Sequence, residues 1–244
     1  MKSHAVQVIS LVDAYERRQS FAKNNAHLDF EFVEAVNGRS LDFYKIPMSD
    51  VFDPQLKYTK GAMGCALSHI GLWRRAANEE SPLTIAEDDA IFRHDFGGQI
   101  VDYLKSTESD WDITVWGWNF DSIFSVNVMP NVSSCVMVFN QDQLRSATDK
   151  FQRLNSAPSF LPLHKCCGIP AYTVTPRGAR KLLNLCLPLK PMQVYFPLMN
   201  RWLANYGIDI ALCNVYSSVD ARVAFPPLVV TKNDHSISSV QTRV

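Results

Sequence analysis

The 244-residue sequence has no apolar run close to the roughly 20 residues that a membrane-spanning helix needs. Its opening stretch, Met1 to Leu11, lacks the basic start and long apolar core of a secretory signal. No Cys-x-x-Cys pair occurs among Cys65, Cys135, Cys166, Cys167, Cys186 and Cys213, so the spacing does not point to a zinc site. The adjacent Cys166-Cys167 is a poor start for a disulfide framework, and a reducing compartment, the cytoplasm, is expected. Net charge is also missing: 24 Lys and Arg balance 24 Asp and Glu, which argues against a nucleic-acid binder. There is no internal repeat, low-complexity tract or clear linker, no dinucleotide-binding glycine fingerprint and no trace of a triad nucleophile.

What is present is an ordinary folded composition, 47% apolar and 20% charged, in a chain long enough to bury its core without staples. One domain over residues 1–244 is expected, with an irregular tail from about residue 226. The charge balance hides an asymmetry. Residues 150–244 hold 11 bases and 3 acids, 11 − 3 = +8, and the remainder compensates with −8. Either surface charge simply drifts along the chain, or the C-terminal part faces an anionic diphosphate, glycan or lipid headgroup.

Hydrophobic patterning predicts an α/β fold. Ala5 to Leu11 reads as a buried strand, residues 14–24 as a polar helix, and Phe30 to Val36 as a second strand closed by Asn37-Gly38. Ala66, Ile70, Trp73 and Ala77 make an apolar stripe on a helix over 64–78. Strands are expected at 83–86, 111–118, 134–139 and 171–174, and Thr175-Pro176 opens a helix that runs to about Cys186. Residues 193–206 read as helical with a break at Pro197, and 208–216 as a late strand.

Glu87-Asp88-Asp89 is the sharpest chemical feature. Three successive carboxylates after an apolar strand repel one another, and partial burial adds a solvation cost. A divalent cation relieves both, and oxygen ligands suit Mg²⁺ or Mn²⁺. The alternative is a solvated acidic turn. Upstream, Gly61-Ala62-Met63-Gly64 precedes the predicted helix, whose free N–H groups can hold an anion, with Lys60 beside them and Ser68 and His69 a turn further on. His69 can equally be a core histidine, since it shares a helix face with Cys65, Leu72 and Ala76.

The run Gly61-Ala-Met-Gly-Cys-Ala-Leu-Ser-His69, Trp73, and Leu83-Thr-Ile-Ala-Glu-Asp-Asp-Ala90 resembles glycosyltransferase family 25, which includes lipopolysaccharide-type and collagen galactosyltransferases. Val8-Ile-Ser-Leu11 with Arg17-Arg18, Phe32-Val-Glu-Ala-Val-Asn-Gly38, and Gly168-Ile-Pro-Ala-Tyr172 with Gly178-Ala-Arg-Lys-Leu-Leu183 are similar to further motifs of that family. The resemblance implies a GT-A-like single domain, a mixed, mostly parallel sheet flanked by helices. It implies an inverting, metal-dependent transfer of a hexose, galactose foremost, from a UDP-sugar to a glycan or glycolipid acceptor. By the same analogy Asp89, with Glu87, holds Mn²⁺ or Mg²⁺, while Glu87 and Asp88 reach the donor ribose or the metal's water shell. Ile9, Ser10 and Leu11 line the uracil pocket, and Arg17, Lys60, Ser68 and His69 contact the donor. A lipid-linked acceptor would bring the protein to the inner membrane face as a peripheral partner.

One departure stands out. Where the family often shows Pro-x-Asp, this chain has Pro191-Met192-Gln193, and an amide cannot take a proton near neutral pH. Asp121 is the substitute candidate for the general base, and Asp220 a further one. Trp116 and Trp118 are candidates for a sugar-stacking platform or for core packing. His235 is a candidate extra metal ligand or a solvated tail residue. Two rival functions remain on sequence alone: a metal-dependent sugar nucleotidyltransferase using the same acids, and a non-catalytic sugar-nucleotide binder, for which Gln193 is the support.

Overall fold

The chain opens with a strand–helix–strand unit. β1 (Val6–Ser10) is buried along its whole length, as its β-branched run requires. α1 (Tyr15–Asn24) buries Phe21, whose ring meets Phe30 at 5.0 Å and Phe32 at 5.8 Å on β2 (Phe30–Glu34). β2 therefore lies parallel beside β1, with Val6 opposite Phe30. The computed structural model describes residues 4–41, 48–106, 110–130 and 132–233.

The remaining elements follow as α2 (Met48–Val51), α3 (Lys60–Ala76), β3 (Leu83–Glu87), β4 (Ala90–Phe92), α4 (Phe96–Ser106), β5 (Ile113–Val115), β6 (Phe124–Met129), β7 (Ser133–Met137), α5 (Gln141–Arg145) and α6 (Thr148–Gln152). Then come β8 (Ser159–Cys166), β9 (Ala171–Val174), α7 (Pro176–Cys186), β10 (Gln193–Phe196), β11 (Arg201–Ala204), α8 (Ile208–Val215), β12 (Ala221–Phe225) and β13 (Val229–Thr231). Nine strands form one sheet in the order β2-β1-β3-β9-β5-β12-β8-β6-β7. β2, β1, β3, β5, β12 and β6 run one way, and β9, β8 and β7 run the other. The expected α/β architecture, a mixed sheet with a mostly parallel core and flanking helices, is thus the observed one. Among the described residues no helix is long and apolar enough to cross a membrane.

α3 sets the geometry of the site. Thr59 accepts the Ala62 N–H at 3.0 Å and starts the helix at Lys60, earlier than its apolar stripe suggests. Gly61 and Gly64 therefore lie inside the helix and not before it, which corrects the expected loop-then-helix arrangement. Their use is close approach. A Cβ on Gly64 would stand 2.4 Å from the Val36 carbonyl oxygen, and one on Gly38 would stand 1.6 Å from the Lys60 carbonyl oxygen. The end of β2 is thereby pressed onto the start of α3. Ala66, Ile70, Trp73 and Ala76 pack the other face against the sheet. α7 opens as expected, with Thr175 accepting the Gly178 N–H and Pro176 at the first helical position.

Three local expectations are overturned. Residues 193–206 hold the antiparallel hairpin β10–β11 and not a helix. Val194 and Phe196 are buried while Gln193 and Tyr195 are exposed, a period of two that Pro197 ends. Residues 208–215 form helix α8 and not a strand, because Ile208, Ala211, Leu212 and Val215 meet the core at helical spacing. An unbroken apolar run does not distinguish these periods. Val229–Thr231, placed in the irregular tail, forms a strand against β4. The sequence reading placed no element at β4, α4, β6, α5, α6, β8 or β12.

Candidate functional site

Two cavities open at the C-terminal ends of β1 and β3, where open α/β sheets collect ligands. The first, about 280 Å³, is lined by Ile9, Ser10 and Leu11 of β1 and its exit, by Arg17 of α1, and by Asn37 and Gly61 where β2 meets α3. The second, about 1110 Å³, is lined by Asp89, Asn119, Asp121, Trp202, Asp209 and Thr231 among others. Cys65 and Glu87 belong to both and form the wall between them.

The three acids of the triplet diverge. Asp88 is buried, accepts the Ser10 hydroxyl at 2.7 Å and pairs with the Arg17 guanidinium. That pairing satisfies its charge and ties β3 to β1 and α1. Glu87 stays 33% exposed and faces His69, with Oε1 3.5 Å from Nε2. Asp89 accepts the Thr231 hydroxyl at 3.1 Å on Oδ2, while its Oδ1 is buried without a partner. Burial, then the neighbouring Asp209 and Asp88 charges, push the Glu87 carboxyl up to about 8. Burial, then Glu87, push Asp89 up to about 6 against the pull of Arg17. Two of the three carboxylates are therefore electrostatically uncompensated by the chain.

A buried polar chain stands behind Glu87. The Trp73 indole N–H can only donate, and it reaches the Tyr172 hydroxyl at 2.7 Å. That hydroxyl also meets His69 Nδ1 at 2.9 Å. Burial holds the imidazole neutral by lowering it to about 4, and its Nε2 faces Glu87. Cys65, His69 and Glu87 bring potential metal-ligand atoms within 4.8 Å of one another. Without a metal, burial and then the Glu87 charge keep the Cys65 thiol protonated. Carboxylate oxygens are the donor set a hard cation such as Mg²⁺ or Mn²⁺ fits, and the orphaned Asp89 Oδ1 beside Glu87 supplies them.

The structure brings Ile9, Ser10, Leu11, Arg17, Ser68, His69, Glu87 and Asp88 to the first cavity. The Ser68 hydroxyl is already committed, accepting the Val36 N–H at 2.8 Å and donating to the Gly64 carbonyl at 2.8 Å. Lys60 is exposed at the helix start. Asp121 lines the second cavity, exposed, with both oxygens accepting from the Asn233 amide at 2.8 and 2.9 Å. Asp220 lies elsewhere, paired with Arg222 beside Asp112, and Gln193 is exposed on β10. His235 lies outside the described residues. Trp116 and Trp118 are both fully buried, in separate clusters. Trp116 packs edge-on to Phe96, and Trp118 stacks on Phe124 at 3.9 Å, so core packing is their use and the sugar platform at this pair is overturned.

Sequence reasoning missed Asp209. It sits in the first turn of α8, where Oδ2 accepts the Gly168 N–H at 2.9 Å, and it lines the second cavity with Asp89 and Glu87. Gly168 has φ +79°, a left-handed conformation that turns its N–H to the carboxylate. The signal was available in Gly207, followed by the helical spacing of Ile208, Ala211, Leu212 and Val215.

The profile of "Glycosyltransferase family 25 (LPS biosynthesis protein)" matches residues 3–196. The lipooligosaccharide biosynthesis protein lic2B of Haemophilus influenzae is 34% identical over 73% of this chain and 62% of its own length. Procollagen galactosyltransferase 1-A of Xenopus laevis is 24% identical over 100% of this chain and 39% of its own. The chain thus spans less than two thirds of either curated relative. Among solved structures, the inositol-1-phosphate CTP transferase from T. maritima matches with a TM-score of 0.37 and 11% identity, over 93% of this chain and 67% of that one, a likeness too slight to bear on function.

Proposed function

The chain belongs to glycosyltransferase family 25, and from that premise we propose that it transfers a hexose, galactose foremost, from a UDP-sugar to a hydroxyl of a glycan acceptor with inversion, on a GT-A-type sheet. The first cavity takes the nucleotide. Ile9, Ser10 and Leu11 offer backbone groups to uracil, and Arg17, anchored on Asp88, borders the ribose and diphosphate. His69 lines the same cavity, with Nε2 3.5 Å from Glu87 Oε1. Glu87 and Asp89 would hold Mn²⁺ or Mg²⁺, which supplies Lewis-acid stabilisation to the departing diphosphate when bound. The acceptor enters the second cavity, past the shared wall of Glu87 and Cys65.

We assign the proton-accepting role to Asp209. Among the described residues only its Oδ2 is tied, to the Gly168 N–H, which leaves Oδ1 to receive the hydroxyl proton. Asp121 is the alternative base in the same cavity, but both of its oxygens already accept from the Asn233 amide. With Asp209 at the cavity, Gln193 no longer argues for a non-catalytic binder. An oligosaccharide such as the one in the name of lic2B, including a lipid-linked one reached at a membrane surface, is the acceptor class we favour.

The observation that carries this reading is the orphaned Asp89 Oδ1 in the second cavity, next to Glu87, which lines both cavities. UDP and UDP-galactose are expected to raise the thermal midpoint in Mn²⁺ and to lose that effect in EDTA, because a ligand of the folded state stabilises it. Absence of a shift with every UDP-sugar tried would sink the reading.

A further inference from the structure

The second cavity has two unlike walls. One carries the carboxylates of Glu87, Asp89 and Asp209. The other is aromatic, built from Trp202 on β11 and Tyr206 just after it. The β10–β11 hairpin turns Val194 and Phe196 into the core, which leaves its outer face to Tyr195 and Trp202. These two are cross-strand partners with ring centroids 4.6 Å apart, so Tyr195 braces the indole from its own strand.

Trp202 is 58% exposed, whereas Trp73, Trp111, Trp116 and Trp118 are at most 2% exposed. Tyr206 beside it is also exposed. Folding buried every other indole and left this one, with Tyr206 beside it, on the wall of the second cavity. The chemistry of the ligand follows from both walls together. An anionic headgroup would be repelled by the carboxylates across the cavity, and an acyl chain would desolvate them without offering a hydrogen bond. A pyranose suits both walls. Its C–H face packs on an aromatic ring, and its hydroxyls donate to carboxylates and exchange hydrogen bonds with amides such as Asn119, which lines the same cavity.

We infer that Trp202, braced by Tyr195 and flanked by Tyr206, is the platform on which a pyranose ring of the acceptor lies. The inference rests on the glycosyltransferase reading and adds to it the wall that orients the acceptor hydroxyl toward the carboxylates.

Because the other four indoles are buried, acrylamide quenching of tryptophan fluorescence in the whole protein reports on Trp202. Methyl β-galactopyranoside, methyl β-glucopyranoside and lactose are expected to shield it saturably in the presence of UDP and Mn²⁺. In transfer from UDP-galactose to these glycosides, Trp202→Ala is expected to raise the acceptor KM by about 2- to 10-fold, the range of one aromatic stacking contact, while the donor KM moves less. Trp202→Phe is expected to recover part of the loss. The inference is overturned if the glycosides leave the quenching unchanged. It is also overturned if vesicles of phosphatidylcholine and phosphatidylglycerol shield Trp202 and the glycosides do not, which would mark the hairpin as a lipid contact. Failure of the transferase reading would look different: no UDP-galactose turnover by the unaltered protein, whatever the quenching shows.

Discussion

Two groups of buried acids in this molecule have met opposite fates. Asp112, just before β5, is fully buried and accepts the Lys181 ammonium at 2.6 Å, the Arg177 guanidinium at 2.8 Å and the Asp220 N–H at 2.8 Å. Burial alone would raise its pKa, but those partners outweigh burial and hold it below the usual carboxylate range. At the end of β3, Glu87 is pushed up by burial and then by Asp209 and Asp88, and Asp89 by burial and then by Glu87, with Arg17 paired to Asp88. A carboxylate that the chain itself compensates is part of the structure. One left facing a cavity without compensation awaits a cation or a proton from a ligand.

The comparison is broken most directly by removing charge from each group in turn. Asp209→Asn is expected to lower kcat for sugar transfer by about 10²- to 10⁴-fold, the range for a lost base, and Asp89→Asn to abolish the Mn²⁺ dependence of donor binding. Both are expected to leave the thermal midpoint unchanged or raised, since each relieves repulsion with Glu87. A loss of activity matched by an equal loss of folded protein would remove the distinction. Asp112→Ala should show the reverse pattern, with stability lower by about 1–3 kcal/mol in urea unfolding and activity per folded molecule kept. The loss should fall below the roughly 3–5 kcal/mol of a fully buried pair, because Arg177 and Lys181 are 42% and 43% exposed and regain water.

A smaller effect sharpens the contrast through pH. Glu87 titrates near 8 in the folded protein and at an ordinary 4.5 when unfolded, so between those values the folded state binds more protons. Metal-free stability is therefore expected to fall as pH rises from about 5 to about 8, by a few degrees in thermal midpoint. Mn²⁺ should flatten the slope by taking the proton's place, and Glu87→Gln should flatten it without metal. A metal-free midpoint that rises across that window would show Glu87 to be compensated after all.

Much of this was legible in the chain because it is local. The acid triplet follows an apolar strand, Thr175-Pro176 caps α7, and the stripe from Ala66 to Trp73 marks α3. The family motifs, read together, identified the family. What escaped was of two kinds. Apolar runs such as Ile208 to Val215 fit helix and strand alike, and Asp209 was lost with that misreading. Aromatic residues carry no mark of burial: Trp116 and Trp118 went to the core, while Trp202 on the hairpin stayed exposed at the cavity.

By itself the sequence determined that three acids would sit together at a strand end and that an α/β sheet would present them, because periodicity and turn chemistry act over a few residues. Only the tertiary structure decided which acids keep an unmet charge. Asp88 is neutralised by Ser10 and Arg17, Asp89 is held by Thr231, and Asp209 arrives from α8. Electrostatic compensation depends on distance in space, and those partners lie far away along the chain.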